Sequence, residues 1–232
     1  MDWILEARRA VASASVDLIR NNTVIGIGSG RTVWFVIQAL ETKVRKENFN
    51  IRVVPTSIQT ETLCVERGLP LTNLSENPEL DLAIDGADQV ELKTLNLVKG
   101  AGGALTREKI VASAARKFVV VVDQKKITKQ GLCGKVPVEV VPFGTGYVVR
   151  ELVRIGGKPK LRESDGKLGP VITDNGNYIL DVYFRKIRSP ERLDRRLRLL
   201  PGVVETGLFL GMADIAYVGR RDGTVQILKR EK

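Results

Sequence analysis

The feature that most constrains the fold is a regular alternation of apolar runs with amphipathic segments through the first half of the chain. Residues 23–27 and 118–122 form apolar runs, which are typical of strands buried on both faces of a sheet. Apolar residues recur at helical spacing at positions 4, 7, 11 and 18, and again at 33, 36, 37 and 40. Further strands are predicted at 51–54 and 80–84, and helices at 59–67 and 106–116. This order predicts a parallel sheet covered by helices on both faces.

The second half of the chain changes its order of elements after residue 135. The pattern predicts strands at 136–140, 158–161, 178–183 and 203–208, with helices at 147–155 and 190–200 and a hairpin turn at 174–177. That βαββαβ order is typical of a ferredoxin-like unit. Two more strands, at 215–219 and 224–228, could rejoin the first sheet. We therefore predict an α/β fold in which residues 1–132 and 209–232 form a Rossmann-like catalytic domain, and residues 133–208 form an inserted ferredoxin-like α+β domain.

Composition excludes several classes of chemistry. Histidine is absent, which removes Ser-His-Asp triads, HExxH metal sites and a histidine general base. The only cysteines, Cys64 and Cys133, lack a CxxC spacing and indicate neither a disulfide framework nor a zinc site. Without a long apolar run or a signal-peptide pattern, we expect a cytoplasmic protein with no membrane partner. The net charge of +10 favours an anionic partner, but charge alone does not distinguish nucleic acid from an anionic metabolite.

Ligands of open parallel sheets bind beyond the carboxyl ends of the strands, so the residues after each strand are the candidates for a site. The first candidate is the glycine-rich turn at 26–32, which can present backbone N–H groups and a helix N-terminus to a phosphate. It is not a dinucleotide fingerprint, because Arg31 occupies the third glycine position and Pro55-Thr56-Ser57 replaces the acid expected after the second strand. The same turn is also compatible with an ordinary strand-to-helix connection.

Three further candidates follow later strands. Asp85 and Asp88 can bind magnesium, accept hydrogen bonds from sugar hydroxyls or share a proton, although a simple turn also uses aspartate to cap backbone groups. Residues 99–103 combine Lys99 with three glycines, and Glu108 lies in the first turns of the next helix, where a solvated glutamate is the ordinary alternative. Residues 123–126 place lysine ammonium groups at the same edge, where surface lysines are equally common.

Three strings occur together in a specific order and spacing: Asp85-Gly86-Ala87-Asp88, Lys99-Gly100-Ala101-Gly102 and residues 104–109 (Ala-Leu-Thr-Arg-Glu-Lys). In these strings the chain resembles the ribose-5-phosphate isomerase family, type A. The likeness continues through residues 134–140, 171–177 and 201–209, and so extends over nearly the whole chain. One departure is in the first loop, where the family commonly has Gly-Thr-Gly-Ser-Thr. Here Arg31 replaces the small serine, and it either strengthens a phosphate contact or points outward.

The resemblance implies an aldose–ketose isomerase of the non-oxidative pentose phosphate pathway, which interconverts ribose 5-phosphate and ribulose 5-phosphate through an enediol or enediolate. It implies that Glu108 is the base, that Lys99 or loop N–H groups stabilise the oxyanion, and that Asp85 and Asp88 assist ring opening. It implies a sugar phosphate as partner rather than nucleic acid, no cofactor or metal, and a homodimer or homotetramer. The substrate contacts that it implies are Ser29, Gly30, Arg31, Thr32, Asp85, Gly86, Ala87, Asp88, Lys99, Gly100, Ala101, Gly102 and Lys126.

Two alternatives remain at this point. A non-catalytic sugar-phosphate sensor could share the fold and the phosphate loop, because a fold alone does not establish turnover. A magnesium-dependent phosphotransferase could use Asp85 and Asp88, although the chain has no recognised phosphate-transfer motif. The full motif around Glu108 favours the isomerase.

Overall fold

The computed structural model describes residues 2–164 and 166–230. Its helices are α1 (Trp3–Val16), α2 (Arg31–Glu47), α3 (Ile58–Glu66), α4 (Leu105–Ala114), α5 (Thr145–Arg154) and α6 (Pro190–Arg198). Its strands are β1 (Thr23–Ile27), β2 (Ile51–Pro55), β3 (Leu82–Asp85), β4 (Gln89–Glu91), β5 (Leu97–Val98), β6 (Phe118–Asp123), β7 (Ile127–Thr128), β8 (Gly134–Val140), β9 (Lys158–Leu161), β10 (Glu163–Ser164), β11 (Lys167–Pro170), β12 (Tyr178–Phe184), β13 (Val203–Thr206), β14 (Leu208–Phe209), β15 (Ile215–Gly219) and β16 (Val225–Lys229). Within the described part, no helix is long and apolar enough to cross a bilayer.

The largest sheet has six strands in the order β16-β15-β6-β3-β1-β2, and its pairings are parallel except that of β15 with β16. Alternate residues of β6 face opposite sides, because side chains of a strand point to the two faces in turn. Val119 and Val121 belong to the apolar core that includes Val36 of α2, whereas Val120 belongs to the core that includes Val111 of α4. The predicted parallel sheet with cores on both faces is confirmed, and the C-terminal strands complete its edge.

The second sheet is antiparallel with the order β13-β8-β12-β9. With α5 between β8 and β9 and α6 between β12 and β13, it has the predicted βαββαβ order and confirms the ferredoxin-like unit. Val138 and Leu180 of this sheet share an apolar core with Val148 of α5 and Leu197 of α6. The turn predicted at residues 174–177 precedes β12 as expected, and β10 pairs with β11 in a small separate hairpin.

The predicted strand at 203–208 is interrupted in the structure. It ends at Thr206, and the backbone of Gly207 then pairs with two other segments, donating to Pro137 O at 2.7 Å and accepting from Lys99 N at 2.8 Å. The next residues form β14, which joins a third sheet with the order β14-β5-β4-β7. The sequence does not predict this third sheet, because strands of two or three residues are too short to show a periodicity. The division into domains at residues 132/133 and 208/209 stays a prediction.

Candidate active site

A pocket of about 300 Å³ opens beyond the carboxyl ends of β1, β3 and β6. This is the edge at which an open parallel sheet binds ligands. The four segments selected from the sequence all reach it. The residues lining it are Arg8, Ser29, Gly30, Arg31, Thr32, Gly86, Ala87, Asp88, Lys99, Gly100, Ala101, Gly102, Glu108, Val122, Asp123 and Lys126. Every residue proposed from the sequence therefore lines the pocket except Asp85, which lies directly behind Lys99 as its ion-pair partner.

The side chain of Lys99 lies between two carboxylates at the base of this pocket. Its Nζ lies 2.9 Å from Asp85 Oδ2 and 3.1 Å from Glu108 Oε2, and it donates a hydrogen bond to Gly86 O at 2.7 Å. Asp85 uses its other oxygen, Oδ1, to accept from Ser29 N at 3.1 Å and from Gly86 N at 2.7 Å. Lys99, Asp85 and Glu108 are each at most 5% exposed, so these charges depend on one another rather than on water.

Burial has the largest effect on the pKa values of the Glu108 and Asp85 carboxyl groups. It raises the pKa of Glu108 to about 8, with a further contribution from the Asp85 charge and an opposing one from Lys99. Burial also raises the pKa of Asp85, although Lys99 and the backbone donors oppose it. For Lys99 burial favours the neutral amine, but the two carboxylates outweigh it and leave the pKa above its usual value. The ammonium group is therefore the fixed charge, and Glu108 is the group able to exchange a proton near neutral pH.

Asp88 and the glycine loop form one wall of the pocket. Asp88 Oδ2 accepts a hydrogen bond from Ala101 N at 2.9 Å, and the backbone N–H of Asp88 donates to Val98 O at 2.8 Å. Because β5 ends at Val98, the small third sheet sets where the loop begins. Lys99 N and Ala101 N are thus engaged within the protein, and the N–H groups of Gly100 and Gly102 are the ones left to serve as donors to a ligand.

The part of the pocket at the N-terminus of α2 has features that favour binding of an anion. Helix α2 begins at Arg31, its N-cap is Gly30 with φ at 101°, and no side chain within the described chain caps it. The first N–H groups of a helix carry partial positive charge, and here they adjoin the pocket beside the cationic side chains of Arg8, Arg31 and Lys126. A phosphate group fits this combination of donors and charge.

Ser29 contributes differently from its neighbours. Its Oγ lies 2.8 Å from both Thr56 Oγ1 and Ser57 Oγ, in a cluster of hydroxyl groups that Thr60 extends. Its backbone N–H is engaged by Asp85, as described above. Ser29 therefore fixes the first loop against the turn after β2 as well as lining the pocket.

Arg8 is a lining residue that the sequence interpretation missed. It lies on α1 beside the fully buried Ala7, and its Nε is buried with no hydrogen-bond partner among the described residues. Nothing in the local pattern separates it from Arg9, which lies over the ring of Phe35 instead. Only the packing of α1 against β6 and β15 shows which arginine faces the pocket.

Metal ligation has little support in this pocket. Among residues 2–164 and 166–230, no three Asp, Glu, Cys or His side chains group in a way that could hold a metal ion. Asp85 and Asp88, the pair that suggested magnesium, are engaged by Lys99 and by the Ala101 N–H respectively.

Comparison with known proteins gives consistent matches. The family model described as ribose 5-phosphate isomerase A (phosphoriboisomerase A) matches residues 52–223. A relative named ribose-5-phosphate isomerase A from Methanosarcina acetivorans is 48% identical, with 97% of this chain and 95% of the relative covered. The structure of ribose 5-phosphate isomerase A from Methanocaldococcus jannaschii has a TM-score of 0.92 at 41% identity, covering 97% of this chain and 98% of that one. A D-ribose-5-phosphate isomerase in complex with phospho-erythronic acid has a TM-score of 0.94 at 40% identity, covering 98% and 99%.

Proposed function

The chain belongs to the ribose 5-phosphate isomerase A family, and on that basis we infer that it interconverts D-ribose 5-phosphate and D-ribulose 5-phosphate. This is an aldose–ketose isomerisation within the non-oxidative pentose phosphate pathway. We further propose that Glu108 is the base. The observation that carries this assignment is the buried Lys99 ammonium between Glu108 and Asp85, with Glu108 in the pocket lining and Asp85 behind it.

The proposed chemistry moves one proton between neighbouring carbons. Glu108 removes the proton from C2 of the open-chain aldose, the electron pair forms the C1–C2 double bond, and negative charge develops on the carbonyl oxygen at C1. Lys99 and the N–H groups of Gly100 and Gly102 stabilise that oxygen. The hydroxyl proton at O2 then moves to O1, and protonated Glu108 returns its proton to C1. A raised pKa suits this role, because a general base works best when its pKa lies near the operating pH.

Asp88 is the carboxylate that we assign to ring opening and to orienting the sugar hydroxyls, since it lines the pocket. Asp85 is assigned a supporting part in the same step, because its oxygens are engaged by Lys99, Ser29 N and Gly86 N. It holds the ammonium group of Lys99 in place.

The phosphate is assigned to the N-terminus of α2, with Gly30, Arg31 and Thr32 supplying donors and Arg8 and Lys126 supplying charge. Binding energy from this remote group can align C1 and C2 with Glu108, which raises the rate as well as the affinity. A structural relative binds phospho-erythronic acid, which joins a phosphate to a carboxylate as planar as an enediolate, and this supports a sugar phosphate as the ligand.

We propose that the reaction needs neither cofactor nor metal, because it is redox-neutral overall and Lys99 already supplies a fixed positive charge. We propose a cytoplasmic location, with a sugar phosphate as partner rather than nucleic acid. We also propose a homodimer or homotetramer. Large apolar side chains exposed near one end of the antiparallel sheet support this, namely Val141, Phe143, Tyr147, Leu199 and Val204.

The experiment that tests the base is Glu108→Gln, with Glu66→Gln as a matched control on the exposed end of α3. The amide keeps the shape of the side chain but cannot accept the proton, so we expect kcat to fall by roughly two to four orders of magnitude. Binding of phospho-erythronic acid should persist, which would also separate loss of catalysis from loss of the pocket. Near-normal turnover of Glu108→Gln, in a preparation free of other isomerases, would show that the base lies elsewhere. A wild-type protein that binds phospho-erythronic acid but has no isomerase activity would favour the sensor.

A further inference from the structure

Arg162 connects the antiparallel sheet to the glycine loop of the active site. It follows β9, and its Nη1 donates to Gly100 O at 2.8 Å and to Ala101 O at 3.1 Å. Its Nε and Nη2 donate to the two carboxylate oxygens of Asp181 on β12, at 3.0 and 2.5 Å. The side chain is 11% exposed, so the guanidinium lies in a fixed, largely desolvated position. Arg162 does not line the pocket, and the reaction assigned above makes no use of it.

These contacts fix the orientation of two successive peptide groups. In a trans peptide the C=O and the N–H point in opposite directions. The peptide between residues 100 and 101 is therefore held from both sides, by Arg162 at its oxygen and by Asp88 at its N–H. In the next peptide, Arg162 holds Ala101 O, so the N–H of Gly102 points away from Arg162. Gly102 lines the pocket, and among the described residues its N–H has no acceptor, so it can donate to a bound substrate.

We propose that Arg162 is a positioning residue for the isomerisation, which aims the N–H of Gly102 in the glycine loop at the oxygen that becomes negative in the enediolate. The proposal rests on the proposed function of that loop. Arginine suits the task because its planar guanidinium binds one carboxylate through two nitrogens and still has a donor face for the carbonyls. Lysine has a single small ammonium group and cannot span both sets of acceptors. In this way the second sheet takes part in catalysis without contacting substrate.

The test compares Arg162→Ala and Arg162→Lys with Lys135→Met. Lys135 is a matched control, because its Nζ lies 3.5 Å from the same Asp181 carboxylate and it makes no contact with the loop. Misplacing donors by about 1 Å costs up to about 100-fold in rate, so we expect kcat of Arg162→Ala to fall about 10- to 100-fold with a much smaller change in KM. Affinity for phospho-erythronic acid should fall in parallel with kcat, whereas affinity for inorganic phosphate should not change. Millimolar guanidinium ion should restore part of the rate of Arg162→Ala.

Several outcomes would overturn the proposal. One is a folded Arg162→Lys or Arg162→Ala protein with kcat within about twofold of wild type. Another is an equal loss of affinity for inorganic phosphate and phospho-erythronic acid, which would indicate general damage to the pocket. If Arg162→Ala does not fold, the affinities of Arg162→Lys for phospho-erythronic acid and for inorganic phosphate are compared instead, and the same two outcomes support or overturn the proposal. Failure of the proposed function is distinguishable, because it would be seen as an inactive wild type or an active Glu108→Gln.

Discussion

The ammonium group of Lys99 is shared by two buried carboxylates, and this sharing decides how each of them ionises. One cation cannot fully offset two buried anions, so the cluster tends to retain an additional proton. Glu108 is the carboxylate that reaches the pocket, and burial followed by the Asp85 charge raises its pKa to about 8. At the level of single residues, the structure therefore gives a helix glutamate a pKa that suits the proposed base near neutral pH.

The pH dependence of kcat/KM follows from this cluster. The base must be ionised, so kcat/KM should be low in acid and rise with pH through an apparent pKa well above the usual glutamate value of 4.5, towards about 8. Asp85, Lys99 and Asp88 face Glu108, so the measured value belongs to the coupled group and not to one residue. The apparent pKa is obtained by measuring initial rates over a range of substrate concentrations at each pH and plotting kcat/KM against pH. A profile already flat above about pH 5 would contradict a raised pKa.

Gly28 is a second residue whose identity the site requires. A Cβ at this position would lie 1.9 Å from the carboxyl group of Asp85, so an added methyl must displace that carboxylate. We expect Gly28→Ala to lower kcat at least about 10-fold, since Asp85 holds Lys99 in place. Gly146→Ala is the control, because Gly146 has nothing within 4 Å of its Cβ position and lies within α5. Equal activity of the two variants, measured as kcat on ribose 5-phosphate, would show that the Asp85 position is not critical.

At the scale of elements, α4 is the part that brings Glu108 to the pocket, and three neighbouring side chains attach this helix to the second sheet. Thr106 Oγ1 donates to the fully buried Glu139 at 2.5 Å, and Arg107 Nη2 donates to Asp174 O at 2.8 Å. Lys109 Nζ donates to Thr206 O and pairs with Glu205, both at 2.8 Å. The helix is thus positioned from the antiparallel sheet as well as from the parallel one.

The attachment at Thr106 predicts a measurable loss of stability. Thr106→Val keeps the shape of the side chain but removes one hydrogen bond to the buried carboxylate of Glu139, which should cost about 1–3 kcal/mol of unfolding free energy. Thr62→Val is a suitable control, because Thr62 Oγ1 donates only to Ile58 O on the exposed side of α3. Denaturant unfolding of the two variants measures the difference. Equal stability would mean that Thr173, Asn175 and Asn177 satisfy Glu139 without Thr106.

Longer elements could be predicted because burial imposes a period on them. The strand β6 and the βαββαβ order were found as predicted, and the apolar positions predicted for the second helix are buried in α2. The small third sheet could not, because its strands β5 and β14 have two residues each and are defined by their partners. The four segments of the pocket were predictable because strand ends converge in a parallel sheet. Arg8 and Arg162 were not, since each belongs to the site through packing between distant parts of the chain.

At the scale of the whole molecule, the proposed site depends on both main sheets. The parallel sheet supplies the phosphate end and the Lys99 cluster, whereas the antiparallel sheet holds α4 and the glycine loop from the other side. Burying three charged groups at this junction has a cost in stability that depends on their protonation. The pH dependence of global stability therefore reports on the active site.

The sign of that dependence can be worked out for Glu108. Its pKa is raised on folding from 4.5 to about 8, so between these values the folded state holds more protons than the unfolded state. The stability from this proton is fully present below about pH 4.5 and is lost as pH rises through about 8. Glu108→Gln does not titrate, so the unfolding free energy of wild type relative to this variant should fall with pH, by at most about 1.4 kcal/mol per pH unit. Asp85 also has a raised pKa and shifts the same way, and because it interacts with Glu108 the difference between the two proteins reports on the pair.

Urea unfolding of wild type and Glu108→Gln at about pH 5, 7 and 9, at one fixed protein concentration, measures the difference. Using the difference removes the contributions of groups that titrate alike in both proteins, such as Glu41, whose pKa is lowered by Arg67. Glu66→Gln against wild type is the control, because it makes the same substitution at an exposed position at the end of α3. A difference that stays constant between Glu108→Gln and wild type would mean that Glu108 ionises as an ordinary glutamate. A steady fall in the unfolding free energy of wild type relative to Glu108→Gln as pH rises would mean that the folded protein retains the proton that the proposed base must lose before it can react.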